Sequence, residues 1–183
     1  MPRMDLLQLI QEEHSKSQCD KIVAYIGNDK KKFAWLMKIF LTGENRDVQR
    51  AAWPLSYCVQ AHPHLVEPYF KELLNMLEKP GVHNAVQRNI TRLLQTVTIP
   101  KRYQGKVMDT CFGFIESHDT PVAIKAFSLT ILEKLSKDYP DILPELKLII
   151  EERWEHETAA FRSRGRKILK TEAGRRKKIR DPE

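Results

Sequence analysis

Apolar residues recur at intervals of three and four along nearly the whole chain, and no stretch sustains the two-residue alternation of a half-buried strand. The pattern therefore predicts helices throughout. A first helix is expected over residues 5–14, with Leu6, Leu7, Leu9 and Ile10 following an acidic start. A second, 17–26, places Cys19, Ile22, Val23 and Ile26 on one side and is closed by Gly27-Asn28. A third, 30–42, turns Phe33, Leu36, Met37 and Phe40 inward and stops at Gly43. Helices over 47–61 and 65–78 follow, separated by His62-Pro63 and ended by Pro80-Gly81. The same two-helix unit then recurs over 84–97 and 101–116, the latter with Tyr103, Val107, Cys111, Phe114 and Ile115 as its apolar stripe. Asp119 is placed as the cap of a helix running to about residue 138, with Pro121 in its first turn. Helices over 142–154 and 158–170 complete the set.

These helices repeat. Val48-Gln49-Arg50 and Val86-Gln87-Arg88 are identical tripeptides 38 residues apart, each near the start of the first helix of a pair. The same step carries Ala52 onto Ile90, Leu55 onto Leu93 and Val59 onto Val97, and one step further reaches Ile131 and Leu135. The run from His62 to Pro68 also matches Tyr139 to Pro144 apart from a slip of one residue. A helix-turn-helix unit of this period cannot bury its apolar face alone and stacks on its neighbours.

On these features the chain resembles the HEAT and armadillo superfamily over roughly residues 17–170. The likeness is carried by Ala51-Ala52-Trp53, by Pro54 where HEAT first helices often kink, and by the Pro63 to Pro68 run. The aspartate and arginine ladder typical of HEAT stacks is not regular here. The resemblance implies an all-α fold, a right-handed α-α superhelix of about four helix pairs plus terminal helices. It assigns residues 1–170 to a single solenoid domain and 171–183 to a basic C-terminal tail. Pro144-Glu145-Leu146-Lys147 to Ile150-Glu151, with Ala159-Ala160-Phe161 and Arg166-Lys167-Ile168-Leu169, further resembles a family of short bacterial helical-repeat proteins. Members of that family sometimes carry the name adenylosuccinate lyase. Such lyases are much longer chains with a mobile Ser- and Gly-rich signature loop. This sequence has no such segment, so the resemblance implies a fold and no activity.

Composition narrows the function classes. At 183 residues, with 42% apolar side chains, the chain is too apolar to be disordered and too short for a large multidomain enzyme. The net charge of +7 is uneven: residues 162–180 hold ten lysines and arginines against the single acid Glu172, leaving the rest at −2. Basicity is thus expected of the tail and not of the folded body. Cys19, Cys58 and Cys111 have neither metal-ligand nor redox-pair spacing and are expected as small buried hydrophobes. The N-terminus lacks a secretory signal pattern, and the densest apolar run, 33–41, is broken by Lys38. A cytoplasmic protein with reduced thiols and no membrane span is the expectation.

Candidate chemistry is sparse. The six histidines fall mostly at predicted helix ends, and only His62 and His64 are near each other, so no metal site is expected. There is no His-Glu-x-x-His, nucleophile elbow, phosphate loop or dinucleotide fingerprint, so neither catalytic residues nor a cofactor are assigned. Trp53, Phe70, Phe112 and Phe127 fit core packing. Trp35 lies among Lys31, Lys32 and Lys38, either on an outer stripe or against the preceding repeat.

The favoured reading is a non-catalytic scaffold whose second helices present Trp35, Lys38, Lys71, Asn75, Lys106, Asp109 and Glu152 to a protein partner. The alternative is nucleic-acid binding. One route is non-specific polyanion contact through Arg175, Arg176, Lys177, Lys178 and Arg180. The other follows HEAT-like alkylpurine DNA glycosylases, in which an acid works beside aromatic side chains; Asp109 with Tyr103 is the nearest match, and motifs support neither this activity nor a lyase.

Overall fold

Local capping chemistry sets where the first helices begin. In the computed structural model, which describes residues 5–171, the Asp5 carboxylate accepts from the N–H groups of Leu7 and Gln8 and starts α1 (Leu6–Glu12). The Ser15 hydroxyl caps α2 (Lys16–Ile26), and Asp29 caps α3 (Lys30–Thr42) by accepting from the N–H groups of Lys31 and Lys32. Those two donors hold the Asp29 carboxyl below its usual range. Gly27 ends α2 at φ +50°, where a side chain would be strained. Gly43 ends α3 where a Cβ would lie 2.5 Å from the Ile39 carbonyl oxygen.

The chain continues through α4 (Asn45–Ala61), α5 (Phe70–Glu78), α6 (Asn84–Leu94), α7 (Lys101–Glu116), α8 (Val122–Leu135), α9 (Leu143–Arg153) and α10 (Ala159–Leu169). Short 3-10 turns occupy Pro63–Tyr69, Pro140–Ile142 and Trp154–His156, and there is no strand among the described residues. The fold is all-α, with four successive helix pairs, α2–α3 to α8–α9, between terminal helices. Both proline-led runs that match in the sequence become 3-10 turns entering the second helix of a pair.

Several boundaries differ from the sequence reading. The helix expected over 65–78 begins only at Phe70, because Pro68 lacks the N–H an α-helix needs and its ring opposes the carbonyl four residues back. The helix expected to reach residue 97 stops at Leu94, where the Thr96 hydroxyl and N–H both take the Leu93 carbonyl. Asp119 does not cap α8: Pro121 holds the cap position without a side-chain bond, and the helix ends at Leu135. Asp47 does not open α4 but sits in its first turn, buried and accepting from the Gln11 amide at 3.0 Å. In α1, Leu6 and Ile10 are buried while Leu7 is exposed, since Leu6 and Ile10 stand one above the other on the helix and Leu7 is turned about 100° from Leu6.

The described residues form two compact units, which divide between Thr110 and Cys111. In the first, α4 packs against α1, α2, α3 and α6. Its inner face buries Ala52, Leu55 and Val59, and their 38-residue equivalents Ile90, Leu93 and Val97 are buried likewise. Pro54 lies buried within α4. Polar contacts fasten α1 to its neighbours: the Gln18 amide donates to the Leu9 carbonyl at 2.7 Å and the Arg50 guanidinium to the Gln11 carbonyl at 2.6 Å. In the second unit α10 packs on α8 and α9. Gly165 permits this approach, since a Cβ there would meet Ile150 Cγ2 at 2.9 Å.

All three cysteines are free and buried. Burial pushes the Cys19 thiol up to about 11 and the Cys58 and Cys111 thiols up to about 12, which leaves them poor nucleophiles at neutral pH. Of the aromatics expected in the core, Phe70 is fully buried, whereas Trp53, Phe112 and Phe127 are half-buried at its margin.

Candidate functional site

The surface of α3 follows from what its core face has used. Phe33, Leu36, Met37 and Phe40 are all buried, so Lys31, Trp35 and Lys38 fall to the outer side. Trp35 is half-buried and separates two open depressions. One, of about 500 Å³, is lined by Trp35 and Lys38 together with Asp5, Gln11, Thr42, Glu44 and Asp47. The other, of about 540 Å³, is lined by Tyr25, Lys31, Lys32, Ala34, Trp35 and Lys38. Lys32 donates to the Tyr25 carbonyl at 2.8 Å, and its ammonium lies 4.2 Å from the centre of the Tyr25 ring.

A second polar cluster joins α5 to α7. The Lys106 ammonium donates to Asn75 Oδ1 at 3.3 Å and lies 2.8 Å from Glu78 Oε2. Two of the candidate binding residues are thus brought together, with Glu78 as a partner the sequence did not single out. Lys71 is exposed one turn before Asn75, and Asp109 is exposed one turn after Lys106. Glu152 is exposed on α9 in the second unit.

Asp109 and Tyr103 do not form a common site. Six positions apart on α7, they point about 120° away from each other and are separated by about 9 Å along the axis. The Tyr103 ring stacks instead on Phe70, with centroids 5.9 Å apart, beneath the Arg102 guanidinium at 4.8 Å. No group of three or more His, Cys, Asp or Glu side chains positioned for a metal occurs among the described residues. No helix among them is long and apolar enough to cross a membrane.

The expected tail contacts Arg175, Arg176, Lys177, Lys178 and Arg180 lie outside the described residues. On α10, part of the basic stripe is committed to intramolecular contacts. Arg164 Nε donates to the Thr130 hydroxyl at 3.1 Å, and the Arg166 guanidinium lies 5.6 Å from the Trp154 ring. Lys167 and Lys170 are exposed, while Ile168 anchors the helix.

The near-neutral body expected from the sequence conceals an uneven distribution. Residues 5–110 carry fifteen lysines and arginines against eleven acids, a net charge of +4, whereas residues 111–161 carry five against ten, a net of −5.

The sequence reading also missed a buried ionic cluster in the second unit. Lys125 Nζ lies 2.7 Å from Glu157 Oε1, and Arg153 reaches the same oxygen at 3.1 Å through both Nε and a terminal nitrogen. Arg153 also donates to the Glu116 carbonyl at 2.7 Å. That carbonyl is the negative end of the α7 dipole, which helps to offset the excess cation. Lys125 and Glu157 are 32 residues apart, and neither position carries a local motif.

No curated protein and no solved structure matches the chain. The HEAT repeat domain family matches residues 6–172, a span that takes in every helix from α1 to α10. With its 38-residue register buried position by position, the chain belongs to the HEAT repeat family.

Proposed function

We propose that this HEAT repeat protein is a non-catalytic scaffold that binds a protein partner through exposed side chains on the second helices of its pairs. The observation that carries this reading is Trp35. A large aromatic lies half-buried between two depressions, outside the core face of its helix. Rigid aromatic side chains of this kind dominate the energetics of protein interfaces. Lys38 flanks the same ridge, and Lys71, Asn75, Lys106, Asp109 and Glu152 extend the candidate surface. In this reading residues 1–170 act as one solenoid domain and 171–183 as a basic appendage. The likeness to short bacterial helical-repeat proteins adds no activity, because no lyase signature loop accompanies it.

The test is affinity capture from native extract with the full chain, followed by direct binding to each purified captured protein. The W35A/K38E variant is expected to weaken the direct interaction at least about tenfold. Equal affinity of the variant for every captured partner would remove this face from the function.

A second reading, polyanion binding, is favoured by the exposed Lys167 and Lys170, which lead toward the basic residues 175–180. Attraction of this kind rests on charge density, so affinity for a random duplex or heparin should fall steeply with salt and show little sequence preference. A version ending at Thr171 is expected to lose most of that affinity. Full retention would place the polyanion site on the helical body, and no binding at low salt by the full chain would eliminate this reading.

A further inference from the structure

The start of α3 breaks a local rule of helix design. Lys30, Lys31 and Lys32 occupy its first three positions, where the helix dipole already presents positive potential. Asp29 offsets one charge, but its carboxylate is engaged by the backbone N–H groups of Lys31 and Lys32. Local choices that oppose the fold's own electrostatics concentrate at functional sites. Lys31, Lys32 and Lys38 converge on the same depression as Tyr25 and Trp35, and no carboxylate of the described residues lines it. Among the described residues, neither Lys31 nor Lys38 has an ion-pair partner.

From this juxtaposition we infer that the depression between Tyr25 and Trp35 is a docking site for an acidic peptide segment carrying an apolar anchor residue. The inference rests on the protein-interaction reading above and specifies the partner's chemistry. Carboxylates of the peptide face Lys31, Lys32 and Lys38, while an apolar side chain packs against the indole of Trp35.

The surroundings favour a peptide over a nucleic acid. Beyond the Trp35 ridge, the adjoining depression is lined by Asp5, Glu44 and Asp47. A phosphodiester backbone carries a charge at every nucleotide and would meet those carboxylates as it crossed the ridge. A peptide can place acids over the lysines and neutral or basic residues beyond. The cations are also lysines, compact point charges, and not the bidentate arginine forks that phosphates favour.

The experiment uses the full chain and a short fluorescein-labelled peptide of glutamates and aspartates with two central leucines. Controls are its glutamine and asparagine counterpart and a single-stranded oligothymidylate of equal length. Binding is read by fluorescence anisotropy at low and at physiological salt. The acidic peptide should bind, and its affinity should drop at least about tenfold in K31E/K38E and again in W35A. The uncharged counterpart should bind far more weakly. Neutralising the tail as R175Q/R176Q/K177Q/K178Q/R180Q should change the affinity by less than about threefold. Lys31 and Lys38 are exposed, so the variants should keep the parent's helical circular dichroism, and K31Q/K38Q serves if charge reversal perturbs folding.

Absence of acidic-peptide binding at low salt overturns the proposal. So does binding that survives K31E/K38E but vanishes when the tail is neutralised. Oligothymidylate that binds as tightly as the peptide, with the same dependence on Lys31 and Lys38, would instead assign the patch to nucleic acid. If the acidic peptide fails while W35A/K38E still disrupts a captured protein, the partner chemistry is wrong and the scaffold reading stands.

Discussion

Replacing Glu157 by alanine is expected to destabilise the protein by about 3–5 kcal/mol, the cost of leaving buried charge without its counter-ion. Two cations depend on this one carboxylate: Lys125 at 2.7 Å and Arg153 at 3.1 Å. The pair is withdrawn from water, the Lys125 and Glu157 side chains being only 6% and 5% exposed. The effect should be asymmetric. Lys125→Met removes one of the two cations and leaves the Arg153–Glu157 pair intact, so it should cost clearly less than Glu157→Ala and could approach neutrality if the methionine packs well. Chemical denaturation followed by circular dichroism measures both. Equal losses, or a neutral Glu157→Ala, would mean that the cluster is solvated and contributes little.

The second large effect should come from the repeat register. Leu93 is 0% exposed, and its 38-residue equivalents Leu55 and Ile131 are each 1% exposed. Truncating such a side chain removes both transfer free energy and contacts that neighbours cannot fully recover, so Leu93→Ala should cost about 2–5 kcal/mol. Leu148, at 55% exposure, is the matched control. Its replacement by alanine should change stability by no more than about 0.5 kcal/mol. A Leu93→Ala midpoint indistinguishable from that of Leu148→Ala would show that the register does not define the core.

The same contrast separates what was legible in the sequence from what was not. Helix identity was legible because it is written locally. The period of the apolar residues and the glycines at 27 and 43 act within a few residues of themselves, whereas the caps at Asp5 and Asp29 emerged only in the structure. The repeat was legible for the same reason: Leu55, Leu93 and Ile131 meet the same demand at the same place in successive units. Errors arose where two local signals competed. Asp119 and Pro121 both suit a helix start, and the proline holds the cap position. The 3-10 entry to α5 depends on Pro68, which the apolar pattern alone does not weigh.

Among the candidate surface residues, the exposed placement of Lys38, Lys71, Asn75, Asp109 and Glu152 followed from helical periodicity. Their partners did not. That Lys106 is occupied by Asn75 and Glu78 depends on how α5 and α7 lie beside each other. The two depressions flanking Trp35 depend on where α1, α2 and the start of α4 meet α3.

The sequence by itself determined the helices, their pairing and the buried stripe, because apolar burial is collective and leaves a periodic trace that survives the loss of any one position. Only the tertiary structure decided which charges meet. Glu157 serves Lys125 across 32 residues, and the lysines of α3 converge on Tyr25 from the preceding helix. Electrostatic and hydrogen-bond partnerships act over a few ångströms in space, so their residues need no fixed spacing in the chain.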